Sequence, residues 1–180
     1  MSTIKNSIAK QWLTSLSLLI VSLGYLTGHA FANETNQKPD SEQPIKIESN
    51  QAEFDDGKGT AIYIGNVVVD QGSRHLTADK LTIYRGKDNK ISKMIAVGHP
   101  ARFHSQPNPE KPAGRGKANT IKYYPNEDKV DLIDNAELTQ EGNTVNGPFL
   151  VYFFETGVLK SKGTAQRRTT VILESKKKEG

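Results

Sequence analysis

The chain has 180 residues, no cysteine, and 24 Lys and Arg against 20 Asp and Glu, a formal net charge of +4 at pH 7. Without cysteine it can form no disulfide and hold no Cys-ligated zinc or iron–sulfur centre, so its stability must come from packing and strand pairing.

Residues 1–32 are predicted to be a cleaved secretory signal peptide. Lys5 and Lys10 make a basic start, Leu13 to Leu26 an apolar stretch, and Ala30-Phe31-Ala32 a small-x-small cleavage site. The apolar stretch is short of the roughly 20 residues that a membrane span needs. A lipoprotein signal is excluded, because it would need a cysteine. The mature chain would then run from Asn33 and hold 148 residues, 180 less the first 32, enough for one domain with a real core. It loses two lysines and no acid, so the net charge falls from +4 to +2. A near-neutral exported chain argues against a nucleic-acid partner.

Residues 33–43 are polar and contain proline, and read as a flexible leader. From Pro44 onward apolar and polar residues alternate with the period of β-strands: Ile45 to Glu48, Leu76 to Tyr84, Val130 to Asp134 and Thr169 to Leu173. Turn signals separate these runs at 55–59, 71–72, 85–89, 125–126, 141–143 and 155–157. Alternation slips once at Asp79-Lys80, where a bulge would restore the facing. Gln106 to Lys117, with three prolines and two glycines, reads as the longest loop, and 174–180 as a charged, disordered tail.

Two stretches carry one pattern without a gap. Ala61 to Gln71 lies over Val130 to Gln140, 69 positions later, with Ile64 on Ile133, Asn66 on Asn135 and Gln71 on Gln140. The overlay continues through Leu76/Val145, Ala78/Gly147 and Leu81/Leu150. Each unit reads as strand, Asn-centred bend, strand, turn, strand. Gly65-Asn66 and Asp134-Asn135 tolerate positive φ and mark the bends. A third pattern recurs at Ala78 to Tyr84, Ala118 to Tyr124 and Gly147 to Phe153. A β unit of this kind cannot bury its apolar face alone, whereas stacked copies share a core. The fold class is all-β, a layered roll of repeated strand units over 44–173.

Period two places one apolar set on a common face: Ile45, Ile47, Phe54, Tyr63, Val67, Val69, Leu76, Leu81, Ile83, Phe103, Tyr123, Leu132, Leu138, Val145, Phe149 and Val151. Taken alone, that set reads as hydrophobic core. The histidines His75, His99 and His104 form no metal-ligand spacing, so no metal site is expected. The serines lie in no nucleophile elbow, and carboxylates such as Asp55, Asp56, Asp131 and Asp134 fall in turns or on polar strand faces. No catalytic residue and no cofactor is expected. The basic groups at 111–117, 160–168 and 176–178 read as solvated loops and a charged edge.

Taken in order, Gln43-Pro-Ile-Lys-Ile-Glu-Ser49, Gly65-Asn-Val-Val-Val-Asp-Gln-Gly72, Ala78-Asp-Lys-Leu81, Gly98-His-Pro-Ala-Arg-Phe103, Asp134-Asn-Ala-Glu-Leu138 and Arg168-Thr-Thr-Val171 resemble the periplasmic lipopolysaccharide-export bridge proteins, the OstA-like family also called LptA. The resemblance spans about Pro44 to Leu173. It implies an open, twisted β-jellyroll, a V-shaped antiparallel sandwich. It implies a periplasmic, non-enzymatic protein that binds lipopolysaccharide and stacks head-to-tail to bridge the inner and outer membranes. The inner-membrane export complex and outer-membrane translocon would dock through homologous β-jellyroll domains. The apolar set would then be part core and part groove for lipid A acyl chains, the groove comprising the set above without Ile83 and Val151. The basic groups would touch lipid A phosphates. Edge pairing would use Ile45, Lys46 and Ile47 at one end and Thr169, Thr170, Val171 and Ile172 at the other. Two other readings compete: a structural or adhesive β module with a closed core, and a periplasmic enzyme acting on polysaccharide.

Overall fold

The computed structural model describes residues 38–106 and 113–175. The predicted signal peptide, the first residues of the predicted leader and the end of the charged tail lie outside the described residues. Ten strands follow in chain order: β1 (Lys46–Glu48), β2 (Gln51–Asp55), β3 (Thr60–Gln71), β4 (Arg74–Arg85), β5 (Ile91–Ser105), β6 (Gly114–Tyr124), β7 (Lys129–Gln140), β8 (Asn143–Phe153), β9 (Leu159–Ser161) and β10 (Thr170–Ile172). All pair antiparallel in one sheet, in the order β1-β3-β4-β5-β6-β7-β8-β10. The short β2 adds to the other half of β3, and β9 to the other half of β8. Among the described residues the first and last strands do not pair, so the sheet stays open.

The six long strands all bend at one level. The register shifts between Ile64 and Val67, Thr77 and Lys80, Val97 and Ala101, Lys117 and Thr120, and Ile133 and Ala136. In β3 and β7 the bend rests on left-handed backbone at Gly65 and Asn66 (φ 82° and 47°) and at Asp134 and Asn135 (59° and 53°). Gly occupies that region without steric cost, and Asn and Asp tolerate it because their short polar side chains can hydrogen-bond locally. In β4 it falls at the predicted slip, and β5 crosses through a cis His99–Pro100 bond.

The aligned bulges fold the sheet into two leaves. The first holds β1, the halves of the long strands next to the 72–73 and 141–142 turns, and β10. The second holds β2, the opposite halves and β9. The leaves face one another. Phe103 of the first meets the Phe154 ring beside the second at 6.0 Å between centroids. Gln140 donates from Nε2 to the Tyr152 hydroxyl at 3.2 Å. A side chain at Gly116 would collide with Phe103 and Leu132 from the two leaves, so glycine is what permits the approach. Leu81, Ile121, Leu132, Leu138 and Leu150 fill the space between and are fully buried.

Three expectations are corrected. First, the loop predicted over 106–117 ends earlier, because β6 begins at Gly114, laddered to Ser105 and Gln140 on its two sides. Second, Phe149 and Val151 do not share the inward face. The bulge at Gly147-Pro148 resets the alternation, so Leu150 and Tyr152 turn inward and are buried. Third, the leader does not run free to Gln43. Asp40–Glu42 forms a single 3-10 turn, and Asp40 is buried, accepting hydrogen bonds from Ser73 N (2.9 Å) and Ser73 Oγ (2.6 Å).

Candidate functional site

Three apolar rows cross the inner faces at right angles to the strands. In the first leaf one row reads Ile47, Val69, Leu76, Phe103, Gly116, Leu138, Val145, Val171 from edge to edge. In the second leaf one reads Ala52, Tyr63, Leu81, Ala96, Ile121, Leu132, Leu150, Ser161. The other reads Phe54, Ala61, Ile83, Met94, Tyr123, Val130, Tyr152, Leu159. Each follows from alternation: residues two apart share a face, and antiparallel register sets them side by side.

Burial changes along the rows. At the middle, Leu81, Leu132 and Leu150 are 0% exposed. At the ends, Phe54 is 61% and Val171 55% exposed. The middle strands are covered by the facing leaf and by neighbours on both sides, and edge strands lack one neighbour. The interior is therefore a sealed core that becomes an uncovered apolar surface at each edge of the sheet. Phe54 is steadied there by an edge-to-face contact with Tyr63, centroids 5.9 Å apart.

The expected groove set divides accordingly. Val67, Val69, Leu81, Phe103, Leu132 and Leu138 are buried core. Ile45, Ile47, Tyr63, Leu76, Tyr123 and Val145 are partly buried and pack against it. Phe54 stands at a mouth, and Phe149 lies on the opposite face. The expected edge segments take the edge positions: β1 carries Lys46 and Ile47, and β10 carries Thr170, Val171 and Ile172. Ile45 and Thr169 flank these strands. The edges formed by β2 and β9 lie outside the sequence expectation.

Between the leaves lies an apolar cavity of about 60 Å³, lined by Ile45, Val69, Leu76, Phe103, Ile121 and Phe154 among others. Its rim is closed by Arg74, whose side chain is only 12% exposed. The guanidinium lies over the Phe154 ring, 4.2 Å from its centroid, and pairs with Asp128 at 2.8 Å. It also donates to the Tyr123 hydroxyl and approaches Asp40 at 3.7 Å. Burial pushes the Tyr123 phenol up to about 12, with Arg74 pulling it down and Asp128 raising it. The hydroxyl is therefore neutral at pH 7, accepting from Arg74 and donating to Asp128 (3.3 Å). Gln71 ties the Asp40 turn over this rim by donating to the Ser41 and Gln43 carbonyls at 3.1 and 3.2 Å. Sequence reasoning missed Arg74, Asp40, Asp128 and Phe154. Each sits in or beside a turn, and only an unpaired Arg flanking an apolar strand could have signalled the closure.

The arrangement offers an apolar surface against which a hydrocarbon chain can be buried. Burial is worth about 0.8 kcal/mol per methylene and is non-directional.

Residues 46–158 match the family model described as LptA/(LptD N-terminal domain) LPS transport protein. The chain is 37% identical over 146 residues to the lipopolysaccharide export system protein LptH of Pseudomonas aeruginosa, covering 77% of this chain and 83% of that one. It is 34% identical over 158 residues to the lipopolysaccharide export system protein LptA of Haemophilus influenzae, covering 87% and 89%. The crystal structure of LptH, described as the LptA homologous periplasmic component of the conserved lipopolysaccharide transport device from Pseudomonas aeruginosa, superposes with a TM-score of 0.71 at 33% identity, covering 77% of this chain and all of that one.

Proposed function

Because the chain belongs to the LptA/LptD N-terminal family of lipopolysaccharide transport proteins, we propose that it is a periplasmic segment of a lipid conduit. It binds lipopolysaccharide by the acyl chains and hands it on without chemical change. One observation carries this reading: the apolar rows do not stop inside the domain but run out to both sheet edges, ending on exposed Phe54 and Val171. A closed structural module would bury those ends. An enzyme would converge polar groups on its cavity, whereas the surface this cavity exposes is mostly apolar, with Gln71, Arg74, His75 and His104 among its lining residues.

Export and cleavage after Ala32 belong to the same reading, with the body over 44–173. So does stacking. Among the described residues β1 and β10 are paired on one side only, which leaves rows of N–H and C=O groups on opposite edges. A last strand of one copy adding to a first strand of the next is a heterologous contact, which propagates as an open rod. It would join the apolar rows of successive copies end to end. Main-chain pairing of this kind also admits β-jellyroll domains of inner- and outer-membrane partners.

Photo-crosslinking tests the conduit. A benzophenone amino acid placed at Phe54, Leu76 or Val145 should capture lipopolysaccharide, and one at Phe149 should not. Equal capture from Phe149 would refute a groove on the inner face.

A further inference from the structure

The outer face of the first leaf carries a feature that the conduit does not use. Where β4, β5 and β6 run side by side, two cross-strand rows are basic. In one, His75 stands opposite His104 and His104 opposite Arg115; in the other, Arg102 stands opposite Lys117. The His75 and His104 rings lie 5.1 Å apart. Asp70 takes His75 Nδ1 at 2.6 Å and Glu137 takes Lys117 at 2.9 Å. Among the described residues Arg102 and Arg115 have no acidic partner.

Like charges directly opposite in a sheet are destabilising. Alternation would let any polar residue occupy these outward positions, so the like-charge pairing of Arg102 with Lys117 is not required by the fold. An anion lying between them removes the repulsion and gains charge-assisted hydrogen bonds, and two guanidiniums suit a phosphate fork to fork. The groups line an open basin of about 550 Å³, roomy enough for a phosphorylated sugar. His75, Phe103 and His104 line both this basin and the apolar cavity. The two lie on opposite faces of the same sheet, so one amphiphile would reach both by passing around the strand ends at His75 and His104.

We infer that Arg102, Arg115 and Lys117, flanked by His75 and His104, form a second binding site, which takes the phosphate-bearing headgroup of a glycolipid whose chains enter the roll. The inference rests on the conduit reading for its lipid, while the anion site stands on geometry and charge.

The test titrates the wild-type protein and the R102Q/R115Q/K117Q variant, checked as folded by circular dichroism. The probes are bisphosphorylated lipid A and the same lipid A after dephosphorylation, in matched neutral-detergent micelles. The wild type should bind the phosphorylated lipid at least about tenfold more tightly, the worth of one charge-assisted hydrogen bond. The variant should bind both lipids alike, with the affinity of the wild type for the dephosphorylated one. No preference in the wild type, or a preference kept by the variant, overturns the site. Inorganic pyrophosphate separates the two readings. If neither lipid binds, the conduit and the headgroup assignment both fall. Pyrophosphate shifts in the amide resonances of Arg102, Arg115 and Lys117 would then still establish an anion site, and their absence would overturn that too.

Discussion

β3 and β7 begin from the same local pattern and end in different surroundings. Both bend on left-handed backbone, at Gly65-Asn66 and Asp134-Asn135. Both turn their inner residues onto the same rows. Yet β7 lies between two full-length strands, and its Leu132 is completely buried. β3 is flanked on one side only by the short β1 and β2, and its Tyr63, which overlays Leu132, is half-buried beside exposed Phe54. The paired glutamines diverge likewise: Gln140 holds the buried Tyr152, whereas Gln71 holds the Asp40 turn. The bend is local, but its use as core or as mouth is set by position in the sheet.

The largest expected effect contrasts the overlaid inner residues. Leu132→Ala should cost about 2–5 kcal/mol in urea unfolding, the loss of a fully buried Leu. Tyr63→Ala should cost less than half as much while weakening lipopolysaccharide binding. Equal losses would erase the difference between core and mouth. Next comes Arg74, which overlays Asn143. Removing it leaves Asp128 and Asp40 without their cation, so Arg74→Ala should cost about 2–3 kcal/mol, somewhat below a fully buried pair. Asn143 only accepts from the Glu174 amide at 3.1 Å, and Asn143→Ala should stay within about 1 kcal/mol. An Arg74 loss no larger than that of Asn143 would deny the rim its role.

Asn66→Ala and Asn135→Ala should each cost about 1 kcal/mol, because Ala lacks the short polar side chain whose local hydrogen bonding lets Asn tolerate left-handed backbone. Similar values in both strands would show the bend to be local; a loss confined to β7 would tie it to packing. Phe54→Lys and Val171→Lys, at the exposed row ends, should leave unfolding within about 0.5 kcal/mol. Each should weaken concentration-dependent association in sedimentation by about tenfold, and unchanged association would rule out stacking at these edges.

The smallest effect lies at Asp131, which overlays Ile62. Burial raises its carboxyl above the ordinary 3.8, outweighing Lys129 and Lys122. The folded state therefore holds that proton more tightly than the unfolded chain, and the charge costs stability at neutral pH. Asp131→Asn should be stabilising above the raised folded value. The gain should fade as pH falls through that value toward 3.8 and vanish below it. A gain that persists in acid would mean that charge burial is not the cause.

Much of this was legible in the residues. Alternation, the slip at Asp79-Lys80 and the Asn-centred bends all depend on neighbours a few positions away, and each appears where expected. Applying the same slip to Gly147-Pro148 would have turned Phe149 outward. Period two carried through that bulge put it on the wrong face. The start of β6 was hidden because Gly114 and Gly116 read as loop, although Gly116 is small to admit Phe103 and Leu132.

By itself, then, the sequence determined an all-β chain with bends at matching levels and apolar residues on one face, because steric preference and side-chain alternation act within a few residues. Which of those residues became core and which remained a mouth was decided by the tertiary structure, as was the burial of Arg74 against Phe154 and Asp128. Burial and charge pairing depend on what lies opposite, and here the opposite group is often some 50 positions away, 49 from Arg74 to Tyr123 and 54 to Asp128.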